Sequence, residues 1–164
     1  QKLLDEGASI VVTPHILKPI QNDNKFPPIN DICLMGNYNS GVFASTKKGL
    51  EFLKWWEYQT KAHPFMQKQI GISGEQGWLR FAADFDDNTK IFRNAGYNVA
   101  YWNVAQRDIN LVDDVYYAGN EKLTIMHFSG LKKDTPAEVM SVYQNRYKLQ
   151  KDGVLYNIFN KLLE

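Results

Sequence analysis

The residues best suited to chemistry lie in "LTIMHFSGLKKDTP", 123 to 136, where His127, Gly130 and Lys133 form an H-x-x-G-x-x-K array. An imidazole can ligate a divalent cation. A glycine lets backbone N–H groups approach a phosphate, and a lysine neutralises that phosphate as a point charge. Together they suit a metal-bound diphosphate. The plainer reading is a strand-end histidine capping its own turn, with two solvated lysines after it, and spacing alone does not separate the two.

Three other constellations can do chemistry. Asn39-Ser40-Gly41 stands at the mouth of a strand, where an amide can read a hydroxyl and the glycine permits close approach; a plain turn explains it equally well. Glu75 and Gln76 open a short helix after a glycine-bounded turn, so a carboxylate and an amide can face a cleft. Favourable placement of Glu75 near the helix dipole needs no function. "GYNVAYWNVAQR", 96 to 107, brings Asn98, Trp102 and Arg107 into an aromatic and amide-rich segment, equipment suited to sugars, flat rings and phosphate. Its alternative is an aromatic core strand with an edge arginine. Asp84-Phe85-Asp86 follows a helical segment and reads as solvated loop. His15 and His63 sit beside prolines and read as surface residues, and Cys33 reads as a small buried side chain.

These residues need elements to position them. Gly7 reads as the C-cap of a helix tail, and Ser9 to Thr13, short and β-branched, as a buried strand stopped by Pro14. The four prolines and several Asn and Asp of 14 to 31 make a loop of the kind that lines sites. Val42 to Ala44 reads as a strand. Residues 47 to 60 read as an amphipathic helix through Leu50, Phe52, Leu53 and Trp56. A short helix is expected at 75 to 83, two short strands within 84 to 103, and a strand at 122 to 128. Thr135, Pro136 and Glu138 form an N-cap signature for a helix from 136 to 149. A last helix, 154 to 163, packs through Leu155, Ile158, Phe159 and Leu162. Irregularly mixed strands and helices make the class α/β or α+β.

The bulk composition narrows the classes of function. The 164 residues can form one domain with a real core, and 19 basic against 18 acidic residues leave no basic field for nucleic acid. One cysteine excludes an intrachain disulfide and a thiolate zinc site, which fits a reduced, cytoplasmic setting. No apolar run approaches bilayer length, so no transmembrane segment is expected, which leaves peripheral association with the inner membrane face open. The chain opens on Gln1 in mid-helix, which suggests a fragment whose amino-terminal neighbour has been removed.

Read in order, "YNSGVF", "GEQGWL", "GYNVAYWN" and "MHFSGLKK" resemble the second half of bacterial GT-A type glycosyltransferases related to the glycogenin and lipopolysaccharide galactosyltransferase group. The resemblance covers about residues 8 to 133. It implies a partial GT-A fold, a mixed sheet flanked by helices, with residues 1 to 164 forming one domain that lacks the upstream nucleotide-binding half. It further implies a hexosyltransferase of polysaccharide biosynthesis, taking sugar from a nucleotide-diphosphate donor, UDP-linked, to a saccharide or lipid-linked acceptor. On the same resemblance His127 is a ligand of manganese or magnesium shared with an upstream D-x-D. Gly130 and Lys133 contact the diphosphate, Asn39, Ser40 and Gly41 lie near the sugar, and Glu75 and Gln76 stand beside the anomeric carbon. Related families with the histidine element mostly retain configuration. The sequence departs from the pattern in having Glu75 where Asp is commoner and Asp134-Thr135 where Pro-Trp often follows. A carbohydrate-binding module derived from the same fold is the alternative, with the fragment alone expected to be inactive.

Overall fold

The computed structural model describes residues 1–67, 72–132 and 138–163. Lys133 and the Thr135-Pro136 capping pair therefore lie outside the described residues. The fold is mixed α/β, with helices and three small sheets, and the chain divides into two compact units: 1–15 with 30–93, and 16–29 with 94–164.

In the first unit, α1 (Lys2–Asp5) leads through Gly7 into β1 (Ile10–Pro14). After α2 (Ile29–Met35), β2 (Tyr38–Ser45) pairs antiparallel with β1. A 3-10 turn, Lys47–Gly49, then leads into α3 (Leu50–Ala62). The ribbon β3 (Met66–Gln67) and β4 (Ile72–Ser73) precedes α4 (Gly74–Trp78), a 3-10 turn, α5 (Ala82–Phe85) and β5 (Thr89–Ile91). β5 pairs parallel with β1, so β1 is central, and its apolar run is buried on both faces as the continuous pattern requires. Ile10 and Val12 pack with Phe52, Leu79 and Ala82, under a layer that includes Trp55 and Trp56. Leu50, expected on the apolar face of the helix, is exposed because it occupies the first turn of α3. The helix expected at 75 to 83 is broken by the 3-10 turn at Leu79–Phe81.

In the second unit, β6 (Ile109–Val112) and β7 (Val115–Ala118) form a hairpin that the sequence reading did not identify. Asp113 and Asp114 both adopt positive φ, as a two-residue hairpin turn of matching twist demands. β8 (Glu121–Lys122) extends this sheet, and α6 (Val154–Leu163) forms where its periodicity places it. Phe159 is buried and packs edge-on against Phe128, whereas Leu162 lies exposed.

Two expectations fail here. The strand expected at 122 to 128 is not continuous: the Gly96 carbonyl accepts both Thr124 N–H at 2.8 Å and Ile125 N–H at 3.1 Å, which bends the segment out of a ladder. A single parallel bridge, Val99 to Met126, resumes the pairing, and of the two strands expected in 84 to 103 only β5 is regular. The helix expected at 136 to 149 is absent from the described part, 138–149, which is irregular. Gln144 closes a local turn with Tyr147, and the Asn145 side chain and backbone bond Phe26, so groups that a helix would use are committed elsewhere.

Candidate functional site

In the first unit, β2 and α4 bring together two of the constellations. Ser40 Oγ donates to Glu75 Oε1 at 2.9 Å, and Ser40 N–H donates to Gln76 Oε1 at 3.2 Å, across thirty-five and thirty-six residues of chain. Gln76 Nε2 in turn donates to the Met35 carbonyl at 3.2 Å. Gly36 makes this approach possible: its φ is +104°, and an added Cβ would stand 3.1 Å from the Gln76 carbonyl oxygen. The Trp56 indole N–H donates to the Glu75 carbonyl at 2.7 Å, so α3 fixes the backbone of α4 while the Glu75 residue stays exposed.

Asn39 is buried beside this pair. Its Oδ1 accepts from Gly41 N–H at 2.8 Å, which turns Nδ2 toward His15 Nε2, 3.3 Å away. Since Nδ2 only donates, this contact uses the lone pair of His15 Nε2. His15, read from sequence as a surface residue, is 1% exposed because its own N–H bonds the Asn37 carbonyl and extends the β1–β2 pairing past the irregularity between Val12 and Pro14. Cys33, read as buried, is exposed on α2, where Ile32 takes the buried position.

In the second unit, His127 N–H donates to the Val99 carbonyl, and its ring meets Trp102 edge-on at 5.1 Å. Partial burial pushes the His127 pKa below its ordinary value, favouring the neutral imidazole that a metal or a proton donor requires. Gly130 has φ +75°, and a Cβ there would collide with Ser141 Oγ and the Tyr143 ring. Asn98, also at positive φ, is fully buried; its carbonyl accepts from Asn103 Nδ2, and Asn103 Oδ1 accepts from Ala100 N–H. Among the described residues no three His, Cys, Asp or Glu side chains gather so as to hold a metal ion.

The second unit also contains a cleft of about 680 Å³. Trp102 and Arg107 line it together with Lys18, Lys25 and Arg146, and Asp108 is the one acidic residue of the lining. Arg107 is nine-tenths buried; it donates to the Ala95 carbonyl at 2.7 Å, its Nε has no hydrogen-bond partner among the described residues, and burial lowers its pKa. The proline-rich loop, read as the kind that lines sites, contributes Lys18 to Gln21 and Lys25 to this cleft. Lys18 and Lys25 were not singled out within it. Arg146 was hidden in the expected helix, and nothing in its local sequence marks it.

Compared with known proteins, the chain matches no family model, no curated protein and no solved structure. Among the described residues no helix is long and apolar enough to cross a membrane.

Proposed function

We propose that this chain takes part in glycosyl transfer from a nucleotide-diphosphate sugar, UDP-linked, to a saccharide or lipid-linked acceptor. The observation that carries the reading is the hydrogen-bonded meeting of "NSG" and "EQ", two motifs that sequence resemblance assigns to sugar handling. In this proposal the exposed Glu75 carboxylate, oriented by Ser40, accepts hydrogen bonds from sugar hydroxyls, and Gln76 holds the β2 edge in register. Gly130, whose missing Cβ makes room for Ser141 and Tyr143, contributes to diphosphate binding in this proposal only through its place in the H-x-x-G-x-x-K array, and His127 presents a neutral imidazole. The proposal includes manganese or magnesium, with further ligands from outside the described residues. Retention of configuration is the proposed stereochemical course, at the cytoplasmic side of the membrane.

Calorimetric titration of UDP with and without manganese, for wild type and His127→Ala, tests it. Binding that needs manganese and weakens in the variant supports the reading, and binding indifferent to both overturns it. The cleft whose lining includes Trp102 favours one second reading, a carbohydrate-binding module without catalysis. Oligosaccharide binding in the absence of any UDP binding would select it.

A further inference from the structure

The loop 16–29 is held to the rest of its unit at both ends. Gln106 clamps one end: its Oε1 accepts from Lys18 N–H at 3.3 Å and its Nε2 donates to the Lys18 carbonyl at 2.7 Å. Arg146 clamps the other, pairing with Asp23 at 2.7 Å and donating to the carbonyls of Lys25 and Pro27. The clamped loop thus presents two exposed lysines to a cleft whose lining includes Arg107.

The charge balance of that cleft is lopsided. Asp23 engages Arg146, but no ion pair among the described residues serves Arg107, Lys18 or Lys25, and Asp108 alone offsets them in the lining. A guanidinium removed from water without a carboxylate partner is costly, and its cost is offset when a ligand supplies the negative charge. Guanidinium and ammonium groups around one cavity match phosphate oxygens, the arginine through its planar fork and the lysines as point charges. Trp102 closes one wall of the same cleft but is itself buried against Tyr101 and His127, so the cationic groups carry the recognition.

We propose that this cleft binds the phosphate group of a small organic phosphate through Arg107, Lys18 and Lys25. The proposal does not rest on glycosyl transfer. That reading fails if UDP binding ignores manganese and His127; this one fails if phosphate binding ignores the three cationic residues.

The test is calorimetry on the whole chain with pyrophosphate, glucose 1-phosphate, UDP and glucose, metal-free. The phosphates are expected to bind and glucose not to. The tightest of them identifies the source: inorganic anion, sugar phosphate or nucleotide. The double variant Lys18→Gln, Lys25→Gln, on an exposed loop, is expected to lower phosphate affinity about tenfold or more. Arg107→Gln is expected to do the same, with circular dichroism checking that it folds; if it does not fold, the lysine pair decides. Absence of binding by every phosphate, equal binding of glucose, or affinity unchanged in the lysine variant would overturn the proposal.

Discussion

At the scale of single residues, the orientation of one amide governs a buried contact. Gly41 N–H can only donate, so Asn39 must present Oδ1 to it and Nδ2 to His15. Asn39→Ala leaves the buried His15 Nε2 without this donor and is expected to cost about 1–2 kcal/mol, read as a lower midpoint in chemical denaturation. His127 gives a pH-dependent counterpart. Its folded pKa lies below the ordinary value of 6.5, so the unfolded chain takes up the proton first. The stability tied to neutral His127 is present above pH 6.5 and is lost as pH falls through the folded pKa. His127→Gln removes that dependence. The thermal-midpoint difference, wild type minus variant, should therefore shrink between neutral and mildly acidic pH, and a constant difference would contradict the assignment.

At the scale of elements, β1 and α6 were legible because a β-branched run and an uninterrupted helical period are local signals, although Pro14, read as the stop of that strand, is its last residue and pairs with Tyr38. The segment 138–149 shows why the rest was not. Its sequence carries a helical start signal, yet Asn145 and Arg146 make long-range bonds to Phe26, Asp23, Lys25 and Pro27, more than a hundred residues earlier. No local pattern contains those partners. The NSG and EQ motifs were each legible alone, whereas their meeting depends on the close approach permitted at Gly36. If the clamp fixes the loop, Arg146→Ala should raise hydrogen exchange at the Phe26 and Asn145 amides about tenfold or more and weaken pyrophosphate binding. Arg146→Lys should rescue little, because one ammonium cannot reproduce a fork that spans a carboxylate and two carbonyls. Unchanged exchange in the alanine variant would mean the loop holds itself.

At the scale of the whole molecule, the sequence reading treated 1–164 as one domain, and what it could not display is how the chain is shared. Residues 16–29 leave the first unit after His15, join the second, and return at Asn30. Pairing within the first unit anchors His15 just before this excursion, while Gln106 and Arg146 of the second unit clamp its two ends. A ligand in the cleft therefore measures how far the two units open together. Binding to the folded state stabilises it by about 2.7 kcal/mol at a concentration one hundred times Kd, and that increment appears only in amides whose exchange requires opening of the ligand-holding unit. Saturating pyrophosphate is expected to slow exchange at Val104 and Asn145 in the second unit more than at Val11 and Val12 in β1, since each unit has its own buried side chains. Equal slowing at all four would show instead that the excursion of 16–29 fuses both units into one cooperative structure, and that loosening the β1 core should release phosphate as effectively as removing Lys18 and Lys25.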